Sequence, residues 1–456
     1  MAPGTTGVTL RGARNGMREP GDLLETLIVE SVSLGHPRNW RITTPDASFF
    51  SLKAQPDPFG RPHSEPGVSM SSIPEAALYT AEELARLMEA GAPIQIMDVR
   101  APHRLEQGRI DLVPPHRFHN VRGSELINRT SIESTGLDPE LPVAVVCGAG
   151  KDSAVLAFHL SRIGLDARSL DGGLAAWYRV TLPRELDAPE SLDRLVQFDR
   201  IGKGCLGYLL VSEGEAVAVD PPLDHGAFTT AIEAARARLV AVVDTHAHAD
   251  YVSGGVPMAR GGGAPYYLHP ADGIYPYDGT PGRIEFQSLS DGQVIPFGRS
   301  ALRIVHTPGH TEGSVSLLVE DRVAFTGDFL FVESIGRPDL GGQEEVWAHS
   351  LWESVERARN GWHESTAIYP GHYAGEGERR MGQAVGISLG ALLEENPILQ
   401  IKTREEFVQF ILDNKASFPE GYRKIKALNL GLLPIDPLEV EELEVGRNEC
   451  ALGGVG

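Results

Sequence analysis

The chain reads as an α/β protein built from two sheet-containing domains, the second larger than the first. Three observations lead there. Between Leu78 and Trp177, β-branched runs alternate with amphipathic helical stretches at the spacing of a parallel sheet. A Pro-rich acidic stretch, TLPRELDAPESLD from Thr181 to Asp193, then interrupts the pattern and reads as a linker over residues 183–194. Beyond it, buried-strand patterns end repeatedly in His, Asp and Gly, where open α/β sheets build their sites. A length of 456 residues agrees, since it accommodates two to three domains.

Residues 1–72 show no periodicity. Gly, Pro, Ser and Arg dominate PDPFGRPHSEPGVSMSS, which predicts a disordered tail, and Met70 stands just ahead of the first patterned segment. TAEELARLMEAG, from Thr80 to Gly91, predicts a helix: Thr80 and Glu83 form a capping box, an apolar stripe follows, and a glycine ends it. IQIMDVR (Ile94 to Arg100) and VAVVC (Val143 to Cys147) predict strands. SAVLAFHLSRIG (Ser153 to Gly164) predicts a helix, and SLDGGLAAW (Ser169 to Trp177) a closing turn. The second domain runs over residues 195–436, opens on the strand patterns GYLLVSE and AVAVDPP, and includes a late amphipathic helix, KTREEFVQFILDN (Lys402 to Asn414). The acidic end, residues 437–456, is expected to fray.

Composition narrows the function. Hydrophobic residues make up 41% and charged residues 23%, the balance of a globular chain. A net charge of -21 argues against a nucleic-acid partner, which needs a basic face, and against anionic membrane surfaces. Cys147, Cys205 and Cys450 lie far apart and form no disulfide pattern, which points to a reducing compartment and a cytoplasmic location. No apolar run is long enough to span a bilayer, and acids interrupt DLLETLIVESVSL where a secretory core would lie. Arg11, Arg14 and Arg18, with no acid among the first eighteen residues, leave an organelle transit peptide as the alternative.

Cys147 opens the loop CGAGKDS between a strand and a helix. Amides of a glycine-containing loop and of a helix N-terminus stabilise an anion, so a cysteine there is a candidate nucleophile. Without that environment it would be an inert strand-end residue. With DVR (Asp98 to Arg100), the EQGRI segment and LDGGLAAW, this loop resembles a rhodanese domain over residues 75–182. The resemblance implies that Cys147 carries a sulfane sulfur, taken from or given to thiosulfate or sulfite. It departs from the family at Asp152, where active members have arginine, with Lys151 beside it; a carboxylate there opposes an anionic donor.

The richest stretch is THAHADYVSGG, Thr245 to Gly255, directly after the strand pattern LVAVVD. TPGHTEGS then brings His310, FTGDFLF brings Asp328 and YPGHYAG brings His372, each beside glycine at the end of an apolar run. A single such motif could be loop or core. Four in this order resemble the metallo-β-lactamase superfamily, which implies an αββα sandwich for the second domain. That superfamily commonly holds two adjacent metal ions, and the residue after Asp250, usually a histidine, is here Tyr251. A phenol ionises only near pH 10 and is a poor ligand. One ion held by His246, His310 and Asp328 is then the better expectation, and two imidazoles with one carboxylate suit non-haem Fe(II).

SIGRPDLGG, Ser334 to Gly342, extends the resemblance to the persulfide dioxygenases, which oxidise glutathione persulfide with O2 to sulfite. It implies one Fe(II) per chain on those three residues, His248, Asp250, Tyr251 and His372 around them, and Arg337 as a contact to the glutathione moiety. The chain is expected to form a homo-oligomer. The rivals are a thioester hydrolase of the glyoxalase II type with two zinc ions, and a non-catalytic sulfur carrier or scaffold.

Overall fold

The computed structural model describes residues 28–30, 41–43 and 77–452, apart from 374–376, 380–381, 416–418 and 420. The expected disordered tail falls almost wholly outside the described residues; within it, Ile28–Glu30 and Arg41–Thr43 pair as antiparallel strands.

The unit from Ser72 onward begins with a five-stranded parallel sheet. Its order is Leu78–Tyr79, Ala167–Leu170, Val143–Val146, Gln95–Asp98, Phe118–Asn120. Val143–Val146 lies in the middle and is buried on both faces, which is why it reads as an unbroken apolar run. The first helix is Ala81–Glu89, and the Thr80 hydroxyl accepts the Glu83 amide at its start, as the capping pattern predicts.

Two further sheets lie face to face. The seven-stranded one runs Gln287–Ser288, Tyr266–Leu268, Arg238–Val243, Glu215–Val219, Cys205–Ser212, Arg194–Arg200, Leu182–Glu185. The six-stranded one runs Val294–Phe297, Ser300–His306, Val315–Val319, Val323–Gly327, Ala367–Pro370, Ile387–Ser388. Strand Cys205–Ser212 shows why two layers form. Tyr208 and Leu210 point between the sheets toward Leu317 and Phe325, whereas Leu209 and Val211 point outward at Phe228 and Met258. That alternation is the period of two of a strand buried on both sides. Helices Gly226–Ala234 and Gly255–Gly262 cover the outer face of one sheet; Glu344–Gly361, Leu389–Glu395 and Arg404–Asp413 cover the other. The result is the αββα sandwich that the motifs imply.

Two expectations need correction. Leu182–Glu185, within the expected linker, is the edge strand of the seven-stranded sheet, and an edge is where a sheet tolerates Pro183. Residues 437–452 of the acidic end do not fray: Pro437–Leu443 is a helix, and Leu452 donates its amide to Ile335 while Arg337 donates its own to Cys450. Glu444 is anchored rather than solvated, by Arg200 at 2.5 Å and by the Val252 amide at 2.7 Å. Arg447 reaches Asp111 of the parallel-sheet domain at 2.9 Å, so this segment ties the two sheet systems together. A second tie is the half-buried Glu89, shared by Arg184 and Arg379, which also hold Asp199. Among the described residues, no helix is long and apolar enough to cross a membrane.

Candidate metal centre

Strand Arg238–Val243 delivers Thr245 to the sheet end, where Asp220 fixes it. The Asp220 carboxylate accepts the Thr245 amide at 2.7 Å and the Thr245 hydroxyl at 2.8 Å. Asp220 itself sits at φ 50°, a left-handed conformation that a non-glycine residue keeps only when its surroundings hold it. Because the Thr245 hydroxyl donates to Asp220, it must accept from His246 Nδ1, 3.1 Å away. That selects the tautomer of His246 with a lone pair on Nε2. The same logic holds at His310, whose Nδ1 lies 3.0 Å from the Arg337 carbonyl, an acceptor only. Its Nε2 is left as the lone-pair nitrogen.

Both lone pairs face Asp328. His246 Nε2 is 3.6 Å and His310 Nε2 3.4 Å from Asp328 Oδ2. His246 Nε2 and Asp328 Oδ2 are buried with no hydrogen-bond partner, although such groups are costly to leave unpaired. Burial pushes both imidazoles below the usual histidine range, which keeps them neutral and able to ligate. Two neutral imidazole nitrogens and a carboxylate oxygen around one point fit a divalent transition-metal ion.

The other four predicted residues are used differently. His372 lies between two acids, with Nδ1 on Asp328 Oδ1 and Nε2 on Asp250 Oδ2 at 2.7 Å. Burial disfavours its cation, but Asp250 and Asp328 outweigh burial and raise it well above the usual range. As an imidazolium it holds Asp328 ionised and turned so that Oδ2 faces the other two histidines. His248 is drawn away to Asp220, 3.2 Å from Nε2, and the Tyr251 hydroxyl sits 3.0 Å from the same nitrogen. Asp250 accepts from the Cys205 thiol at 3.3 Å. Close approach of backbone explains the glycines: a methyl group at Gly336 would lie 1.7 Å from the Asp328 carbonyl, and one at Gly371 2.8 Å from its carboxylate.

Arg337 lies on the same loop but its fork is taken. It grips Asp339 in bidentate fashion at 2.7 and 2.6 Å and donates to the Glu449 carbonyl. Cys147 is far along the chain from this centre, in the parallel-sheet domain. Its sulfur accepts the Ser153 amide at 3.4 Å, from the first turn of helix Lys151–Arg162, with the Ser153 hydroxyl at 3.2 Å. Gly173 sits under the loop at φ +59°, and a side chain there would lie 2.5 Å from the Cys147 carbonyl. Lys151 and Asp152 are both exposed at the start of that helix. Sequence reasoning missed Asp220, Cys205 and Asp272, single acids or thiols at strand or loop ends. The DPP after AVAV was the one available signal for Asp220.

The model of the metallo-beta-lactamase superfamily matches residues 201–372, and that of the rhodanese-like domain matches residues 80–179. The chain is 30% identical over 200 residues to the probable polyketide biosynthesis zinc-dependent hydrolase BaeB of Bacillus velezensis, which spans 44% of this chain and 82% of that one. It is 40% identical over 128 residues to the hydroxyacylglutathione hydrolase of Acidiphilium cryptum, which spans 28% of this chain and 50% of that one. Among solved structures, that of ETHE1 from Myxococcus xanthus is 24% identical with a TM-score of 0.44, over 55% of this chain and 99% of that one.

Proposed function

The chain belongs to the metallo-beta-lactamase superfamily, with a rhodanese-like domain ahead of that fold, and on that premise we propose that it is a persulfide dioxygenase. It takes a low-molecular-weight persulfide, glutathione persulfide or a close analogue, and with O2 and one water forms sulfite and the free thiol. One observation carries this reading. His246, His310 and Asp328 leave three lone pairs facing a single point, whereas His248 Nε2, one oxygen of Asp250 and both ring nitrogens of His372 are engaged with Asp220, Tyr251, Asp328 and one another. A centre with three protein ligands and free positions suits Fe(II) better than a closed cage. When bound there, iron supplies the electrons and open positions through which O2 reacts with sulfur.

The chain's own residues prepare that chemistry. Thr245 and the Arg337 carbonyl hold the two histidines in their ligating tautomers. The His372 imidazolium keeps Asp328 anionic. All three ligands are about 1% exposed, so bulk water is kept from the persulfide. In this proposal Arg337 would have to exchange Asp339 for a substrate carboxylate. The rhodanese-like domain handles sulfane sulfur on Cys147, and a shared chain raises the local concentration of the shared intermediate.

A second reading has its own support. Cys205, Asp250 and His372 offer ligand atoms within 4.8 Å of one another, and two of the similar proteins are named as hydrolases. A two-zinc thioester hydrolase would use that cluster as its second site. An oxygen electrode separates the readings: O2 uptake on adding glutathione persulfide is expected, with no hydrolysis of a glutathione thioester. Thioester hydrolysis without O2 uptake would reverse the assignment.

A further inference from the structure

Beside the metal centre lies a cavity of about 190 Å3, lined in part by Asp272, Tyr275, Glu312, Gln343, Trp347 and Lys426. Asp272 connects it to the ligand loops. Its carboxylate accepts the Ala247 amide at 2.7 Å, between His246 and His248, and the Thr311 hydroxyl at 2.8 Å and Gly313 amide at 2.9 Å, just beyond His310. One wall residue, Asp272, is therefore bonded to both histidine loops, and Glu312 of the His310 loop lines the cavity directly.

Lys426 is the unusual member of the wall. It comes from helix Tyr422–Asn429, whose Ile425 and Leu428 pack under the Val252 loop, and it is 2% exposed. Among the described residues its ammonium forms no hydrogen bond or ion pair. The nearest acid of the wall, Asp272, already has three donors from the ligand loops. A buried ammonium without a contact partner is costly and is kept where a ligand completes it. Burial pushes Lys426 below the usual lysine range, opposed by Asp272, Cys450, Asp328 and Asp250.

We propose that Lys426 is the anion-binding residue of the substrate cavity, so that the centre selects small thiol compounds carrying a negative group. This rests on the reading of the chamber as one that takes a small thiol compound. It does not need the reaction to be an oxygenation. The negative group is either a carboxylate of the thiol carrier or the ionised sulfur itself.

Binding measured anaerobically on the full chain tests this. S-methylglutathione carries the carboxylates without an ionisable sulfur, glutathione diethyl ester carries the thiol without carboxylates, and S-methylglutathione diethyl ester carries neither. Lys426→Met is expected to weaken at least one of the first two by about tenfold or more and to leave the third unchanged. Lys426→Arg should restore much of the loss. Loss on S-methylglutathione identifies the carboxylate as the group held; loss on the thiol-bearing diester alone identifies the sulfur. Unchanged binding of both, or equal loss on the neutral compound, would overturn the inference. Should Lys426→Met not fold, Lys426→Gln and the wild-type preference for S-methylglutathione over its diester carry the same test. Because no turnover is involved, failure of O2 uptake would sink the dioxygenase reading while leaving these affinities to be judged alone.

Discussion

The Cys147 loop and the metal centre sit at the same kind of place, the carboxyl ends of sheet strands, yet they are built in opposite ways. At the first, glycines open the backbone, Gly148 and Ala149 are exposed, and a single helix-turn amide meets the sulfur. At the second, every ligand is about 1% exposed and is oriented by a further buried partner: Thr245 for His246, the Arg337 carbonyl for His310 and His372 for Asp328. On the proposed function a sulfur carrier must present its atom to donor and acceptor in turn; the Cys147 sulfur is itself buried, and only the neighbouring Gly148 and Ala149 of its loop are exposed. On the same proposal, a redox metal must keep water and stray thiols out, and the candidate ligands have the inner wall of polar partners that this needs. The two regions are joined through Glu89 and Arg447.

The comparison breaks first on separability. His310→Ala should lower O2 uptake roughly a thousandfold and abolish metal content, since several kcal/mol of charge stabilisation go with the metal. Cys147→Ala should remove sulfur transfer and leave O2 uptake with glutathione persulfide intact. Loss of both activities in either variant would show that the two sites are not independent. A smaller effect tests the inner wall. Thr245→Val removes the acceptor of His246 Nδ1–H, and metal affinity measured by competition with a chelator should fall about ten- to a hundredfold. Unchanged affinity would mean that the tautomer is not set there. The smallest effect concerns the open loop. Gly173→Ala should cost about 1–3 kcal/mol of stability and slow sulfur transfer, because a methyl group would meet the Cys147 carbonyl, while metal affinity stays constant.

What could be read from the sequence follows from the same contrast. Ligands that a metal needs are rare residue types placed after apolar runs, so His246, His310 and Asp328 stand out, as does the glycine-flanked Cys147. Their supports do not. Asp220 and Asp272 are ordinary acids whose roles depend on where loops 25 to 41 positions away return. Lys426 lies in YRKIKALN, where a lysine normally reads as the solvated face of a helix. The acidic end looked solvated because composition hides pairing: Arg200 and Asp111, which anchor Glu444 and Arg447, are remote in the chain. Pro183 read as a breaker because a linear pattern cannot tell an edge strand from a linker.

The central claim is that the chamber holds one redox-active ion, because Tyr251 is a poor ligand and both ring nitrogens of His372 are already paired, with Asp250 and Asp328. Elemental analysis of the full-length protein, purified without added metal, tests this most directly. One iron per chain is the expected result, lost in His310→Ala. Two zinc ions per chain would contradict it.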